Sequence, residues 1–446
     1  MKLISPVNLP FRGIFSRLRH SAFVKNVLIV MTGTAAAQAI GFALTPVISR
    51  LYSPSDFGVF GSFDAVLTVI AAGVTLDYSQ AVMLPKEKKD AINLFMLSCA
   101  SAVIFCILSL AACLLLPGYL QGLMKAPNVW VLPMLVAAIL VTGMNQSCQA
   151  WCVRVKAFKA TSASQVIRSL SSSGMQIGFG LFRGGSVWLI VSSILADIFA
   201  SVNLARVVVR DVWASRRDIE WPLMKRLARE YRDFPMYSAS MNVINALSMG
   251  LPVLLLTHYF GIAVAGAYAF GVRILSAPMA LILRALRQVL FQKAAETKNQ
   301  GDRLMPLYVK ITGGLFAMAF LPALALIIWS PPLFAWLFGS QWQQAGEFAR
   351  YLTVWLLFMF CNLPSVLFAR VIRIQRKMFF FDLALLSSRA MVLILGGIYL
   401  SALHTIMLFS LLSAVMNIVF IVIVGFVLMR KEGEAGLNSI LDDIKE

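Results

Sequence analysis

Val415-Met416-Asn417-Ile418-Val419-Phe420-Ile421-Val422-Ile423-Val424-Gly425-Phe426-Val427-Leu428-Met429 runs for fifteen residues with one amide and no charge. A strand of a transmembrane β-barrel alternates apolar and polar residues at every second position. This stretch does not alternate, so it reads as helix. Extended back to Thr405 it has the length, about 20 residues, that a helix needs to cross a hydrocarbon core about 30 Å thick. A helix satisfies its own backbone hydrogen bonds, which is the condition for crossing lipid.

The rest of the chain repeats this pattern. Of 446 residues, 59% are apolar and 13% charged, and the mean hydropathy is +0.81. That composition excludes a soluble enzyme and implies an all-α integral membrane protein of about twelve spans. The expected spans are 24 to 48, 57 to 84, 91 to 116, 129 to 150, 161 to 182, 187 to 209, 236 to 257, 262 to 290, 307 to 330, 350 to 369, 379 to 400 and 405 to 429. An even number places both termini on one side. Of the 39 Lys and Arg, 32 fall on that side and only Arg50, Lys125, Arg183 and Arg350 on the other, while Arg168, Arg273 and Arg389 lie inside spans. Loops rich in Lys and Arg stay cytoplasmic, so both termini are expected in the cytoplasm of a multi-pass inner-membrane protein. The net charge of +19 is then a topology signal, and no nucleic-acid partner is expected. Ala37-Gln38-Ala39 resembles a signal cleavage site, but the apolar run before it is short and an uncleaved first helix fits better.

The sequence offers little for catalysis. Cys99, Cys106 and Cys113 recur every seven residues, and Cys148 and Cys152 lie one turn apart, among Leu, Ile and Ala. Such surroundings do not ionise a thiol, so these residues read as packing positions. His20, His258 and His404 stand apart from other ligands, so no metal site or cofactor is expected. There is no phosphate-binding G-x-x-x-x-G-K-[ST] loop. The acids at 211 to 233 are interleaved with Arg and Lys, so no catalytic constellation emerges.

Six spans precede the long segment 210 to 235 and six follow it, which gives two lobes of the same orientation. Weak internal similarity supports the repeat. Arg50-Leu51-Tyr52 followed by Phe57-Gly58-Val59-Phe60 has a counterpart 208 residues later in His258-Tyr259-Phe260 followed by Ala265-Gly266-Ala267-Tyr268. The expected units are an N-terminal arm (1–23), an N-lobe (24–209), an amphipathic linker (210–235), a C-lobe (236–429) and a tail (430–446), around a central cavity.

Ser49 to Phe60, Tyr78-Ser79-Gln80-Ala81-Val82-Met83-Leu84-Pro85, Tyr231-Arg232-Asp233-Phe234-Pro235 leading into Leu251-Pro252-Val253-Leu254-Leu255, and Gln288 to Glu296 resemble the Wzx-type polysaccharide flippases of the multidrug/oligosaccharidyl-lipid/polysaccharide exporter superfamily. The resemblance covers residues 24 to 430. It implies a transporter that moves an undecaprenyl-pyrophosphate-linked oligosaccharide between leaflets by alternating access, in a cavity lined mainly by spans 1, 2, 7 and 8. The lipid bilayer and polysaccharide assembly proteins would be its further partners. Two other readings stand beside it: a drug or cation antiporter of the same fold, and a membrane polysaccharide polymerase, which would want a large outward loop that this chain lacks.

A pyrophosphate crossing the membrane needs fixed cations, each at a cost of about 2.5 to 3.5 kcal/mol of insertion free energy. Arg273 lies deep in span 8, and Arg284 and Arg287 share its helical face. The alternative for the latter two is that they are ordinary charges that snorkel at the helix end. Arg50 is a further candidate at the outward end of span 1. Asp64 lies 209 residues before Arg273, close to the repeat offset, so the two can be a gate, a coupling site or a permanent packing pair. Asp77 and Asp197 are further gating or coupling candidates. Arg168 is expected to snorkel near the end of span 5. Asp382 and Arg389 share a face of span 11 but are about 10.5 Å apart along it, so each needs another partner. Pro46, Pro252 and Pro278 interrupt spans 1, 7 and 8 as hinges or static kinks. Gly174 and Gly178 suggest close packing of span 5.

Overall fold

A computed structural model describes residues 22–300, 303–372 and 374–443. For 22–32, 284, 285, 288, 289, 291, 292, 295, 298, 299, 375, 376 and 434–443 it describes the backbone alone. The passes of the first lobe are α1 (Ala22–Leu51), α2 (Pro54–Gly73), α3 (Lys88–Leu115), α4 (Val131–Arg154), α5 (Phe158–Leu181) and α6 (Ser186–Ala214). The linker helix α7 (Trp221–Glu230) follows. The second lobe holds α8 (Ser240–Phe260), α9 (Ile262–Asn299), α10 (Leu304–Phe338), α11 (Gln343–Cys361) continued by α12 (Leu363–Val371), α13 (Gln375–Tyr399) and α14 (Ala402–Asp443). Pro364 at the first turn of α12 explains the break in that pass. Ten of the described passes are long and apolar enough to cross a membrane. The end where α1 begins is called near, the opposite end far.

Span 2 is shorter than expected. Instead of running to residue 84, α2 stops at Gly73, because 20 residues already cover about 30 Å. The chain then turns through Leu76 and Asp77 at φ 49° and 58°. Its remaining apolar residues fold under the N-lobe, where Tyr78, Ala81 and Val82 pack with Ile92, Trp151 and Leu204. Asp77 is therefore a buried turn residue at the near end, not a charge within a span, and its carboxylate accepts from the Ser238 hydroxyl.

The lobes meet along a seam at the far end. Its key is a pair of glycines at the repeat offset. A Cβ on Gly58 would overlap the Ile262 carbonyl, and one on Gly266 would overlap the Pro54 carbonyl. Pro54 and Ile262 are themselves 208 residues apart, so the two contacts are equivalents related by one pseudo-twofold axis. Gly61 faces Ala269, its own counterpart, with the added Cβ 2.9 Å from the alanine's, which places the axis between them. Only glycine allows α2 and α9 to cross this closely.

Beside the crossing, the loop between α10 and α11 seats on the end of α1. The Trp342 indole and the Gln341 amide donate to the Ser49 carbonyl at 2.8 and 2.6 Å, and the Ser49 hydroxyl donates to the Phe338 carbonyl at 3.0 Å. Phe57 from the N-lobe packs edge-on against Phe270 and Trp342, ring centroids 5.3 and 5.1 Å away. Burial and the Asp56 carboxylate push the Tyr52 phenol up to about 12, so it stays neutral and donates to the Gln176 carbonyl at 2.8 Å.

The twofold is broken elsewhere. α2 lies along α8 for much of its length, whereas α1 touches α9 over a short stretch only. At the near end α7 docks on α3. Met224 and Leu227 are buried there, Lys89 pairs with Glu220 at 2.8 Å and Arg226 with Asp90 at 3.4 Å. The cysteines sit as packing residues, with the Cys106, Cys113 and Cys152 thiols 3.8 to 4.0 Å from carbonyls of neighbouring helices. Gly174 and Gly178 do not mark a tight contact, since a Cβ on either would meet nothing within 4 Å. They lie on the side of α5 turned away from its packed, polar face. Close approach of α5 occurs instead at Gly180, whose added Cβ would touch Leu51 and Tyr52.

Candidate functional site

Between the lobes lies a cavity of about 860 Å³, within the range of ligand-binding clefts. Its charged lining residues, among those described, are Asp64, Arg168, Asp197 and Arg273. Each sits ten or eleven residues from the first residue of its helix, α2, α5, α6 and α9 respectively. At 1.5 Å per residue that is about 15 to 17 Å, the middle of a core about 30 Å thick. Four helices thus deliver their charges to one depth.

Arg168 and Asp197 form a two-pronged pair, with Nε donating to Oδ1 and the second prong closing on Oδ2 at 3.2 Å. Arg168 does not snorkel to the helix end, as its sequence position suggests, but points into the cavity. α5 begins at Phe158, which sets Arg168 deeper than a start at residue 161 would, and the carboxylate across the cavity wall holds it there. Arg273 and Asp64 are also open to the cavity. Among the described residues neither has an opposite charge within 4.0 Å. A permanent packing pair between them is therefore not what this conformation contains.

The rest of the wall is polar on one side. Gln165, Ser169, Ser172 and Gln176 follow Arg168's face of α5 at spacings of three and four, so one stripe of that helix is hydrophilic. This stripe keeps Phe158–Leu181 out of the set that is apolar enough to span by composition. Asn145, Gln146 and Gln149 add amides from α4. The C-lobe wall is mainly apolar, through Met249, Val253, Ala269 and Val272. The lining thus draws on spans 4 to 6 as well as on the expected spans 1, 2, 7 and 8. The three-and-four spacing of serine and glutamine in 165 to 176 is the signal that could have found α5.

Other candidates lie elsewhere. Arg50 ends α1 at the far end, where its guanidinium is 3.5 Å from the Trp336 carbonyl, away from the cavity. Arg287 is exposed and does not line it, and the side chain of Arg284 lies outside the described residues. Arg389 is 1% exposed. It donates to Ser413 and Ser248 at 3.0 and 2.9 Å and lies 4.9 and 5.4 Å from the Trp355 and Phe409 ring centres. Asp382, seven residues earlier, is half-buried. Pro46, Pro252 and Pro278 fall inside continuous helices α1, α8 and α9. Among the described residues no group of three His, Cys, Asp or Glu is placed to hold a metal ion.

Residues 47–347 match the family described as polysaccharide biosynthesis protein. The succinoglycan biosynthesis transport protein ExoT of Rhizobium meliloti (strain 1021) is 23% identical over 312 residues, which is 68% of this chain and 60% of that protein's length. Among solved structures, lipid II flippase MurJ in an inward closed conformation superposes with a TM-score of 0.71 at 11% identity, over 93% of this chain and 91% of that one. An inward-facing multidrug resistance MATE family transporter of the MOP superfamily gives 0.67 at 14% identity, over 88% and 95%. A MOP superfamily transporter from Pyrococcus furiosus Vc1 (DSM3638) gives 0.59 at 14% identity, over 93% and 97%. The fold is that of these transporters: two six-helix lobes of parallel orientation.

Proposed function

Since this chain belongs to the polysaccharide biosynthesis protein family, we propose that it is a flippase. It carries a polyprenyl-pyrophosphate-linked oligosaccharide from the cytoplasmic to the periplasmic leaflet of the inner membrane, for cell-surface polysaccharide assembly. The 32-to-4 partition of loop cations supports cytoplasmic termini, which makes the far end periplasmic. The lobes are 24–209 and 236–429, joined by the linker 210–235 on the cytoplasmic face. The lobes rock against each other, meeting at the α2–α9 crossing when the far end is closed and parting there when it opens, so that the cavity faces one side and then the other.

The observation that carries this reading is Arg273. A cation at mid-membrane, facing a polar cavity and without a carboxylate within 4.0 Å among the described residues, is expensive to bury and suited to a pyrophosphate. Arg273→Ala is expected to abolish lipid-linked oligosaccharide export in cells while the protein stays in the membrane at normal level. Arg273→Lys restores part of it, because charge survives and the bidentate fork does not. Full export by the alanine variant at normal level would overturn the reading. Asp64 in the same cavity favours a second reading, export of organic cations, and uptake of a cationic dye by inverted vesicles tests it.

A further inference from the structure

The charges lining the cavity cancel: Asp64 and Asp197 against Arg168 and Arg273. The two arginines are not equivalent. Arg168 is held by Asp197 in a two-pronged pair, whereas Arg273 faces the cavity with no such partner among the described residues. They also belong to different walls. Arg273 rises from the apolar C-lobe wall, and Arg168 sits in the N-lobe wall among Asn145, Gln146, Gln149, Gln165 and Ser172. Amides and hydroxyls that both donate and accept suit sugar hydroxyls, and neither amide nor hydroxyl compensates a net charge.

Resting on the flippase reading, we propose that the N-lobe chamber selects glycans that carry no acidic substituent, and that Asp197 enforces this by engaging Arg168, the cation that would otherwise accept such a substituent. A hexuronate entering the chamber would bring a carboxylate toward two others, Asp64 and Asp197. The cation beside it is already engaged, and Arg273 is claimed by the pyrophosphate. Repulsion in a partly desolvated site discriminates more strongly than it does in water. A neutral hexose meets only groups it can hydrogen-bond. The specificity lies in what the cavity turns away rather than in a new attraction.

The test uses the full chain in vesicles with two glycolipids that share one polyprenyl pyrophosphate and one chain length. One carries only neutral hexoses, and in the other a single hexose is replaced by a hexuronic acid. Glycan that has crossed is read by its oxidation with membrane-impermeant periodate, against vesicles without protein. The neutral glycolipid is expected to cross at least about tenfold faster, which corresponds to about 1.4 kcal/mol of discrimination. Asp197→Asn frees Arg168 and should narrow that ratio to near one. The double change Arg168→Gln with Asp197→Asn returns the lining charge to zero and should restore the ratio. Equal or faster crossing of the acidic glycolipid with the unaltered chain overturns this inference and leaves the flippase reading standing. Crossing of neither overturns both.

Discussion

Arg389 shows how a single residue can be charged and buried with no carboxylate within 4.0 Å among the described residues. Its guanidinium bridges α8 through Ser248 and α14 through Ser413, and the faces of Trp355 and Phe409 take up its remaining charge. Cation–π contacts contribute about 2 kcal/mol each when desolvated, and hydrogen bonds from a charged donor about 1.5 to 3. Removing the charge also removes its desolvation cost, so the net loss is smaller than the sum. Arg389→Ala should destabilise the protein by about 2 to 4 kcal/mol, and Arg389→Lys by somewhat less, since an ammonium cannot reach both hydroxyls in one plane. Thermal unfolding in detergent reads this. An unchanged unfolding temperature with loss of transport would place Arg389 on the transport path instead of in the C-lobe's frame. Its sequence position said only that Asp382 was too far to be its partner. The hydroxyls and rings that hold it come from three other helices, and no spacing along the chain reveals which helix faces meet. Arg168 was unreadable for the same reason, since Asp197 is 29 residues away on the next helix.

At the scale of elements, long apolar runs were legible because lipid demands them, and twelve passes follow from them. What hydropathy cannot show is where an apolar run stops crossing and folds back, as after Gly73. Nor does it show which small residues touch a neighbour. The Gly174 and Gly178 pair has the spacing of a packing motif but open space around it, whereas Gly58 and Gly266, with no such spacing, sit against carbonyls of the opposite lobe. The two kinds of glycine predict opposite outcomes. Gly174→Ala should be neutral or stabilise by about 0.5 to 1 kcal/mol through helix propensity. Gly58→Ala should destabilise by about 1 to 3 kcal/mol through overpacking at the crossing. Matching unfolding temperatures for the two variants would mean that the α2–α9 crossing has room for a methyl group at Gly58.

For the whole molecule, the repeat read from two short aromatic motifs reappears as reciprocal glycine contacts about one axis, and the departure from that symmetry has a mechanical consequence. α2 is held along α8, and at one point the Ser62 and Thr257 hydroxyls lie 2.9 Å apart across the lobe boundary. α1 and α9, the symmetry-related partners, are nearly free of each other. In the proposed cycle the far end opens, which parts α2 from α9 at the glycine crossing and from α8 near Ser62. Side chains whose hydroxyls meet lie close enough for a pair of cysteines in their place to be tested as a crosslink. In a background without the six native cysteines, Ser62→Cys with Thr257→Cys should therefore stop translocation on oxidation and recover it on reduction, while each single variant transports throughout. If the oxidised double variant, shown by mass spectrometry to be crosslinked, still transports at the rate of its reduced form, the lobes do not separate there. Alternating access by parting of the lobes at the α2–α9 crossing would then have to be abandoned.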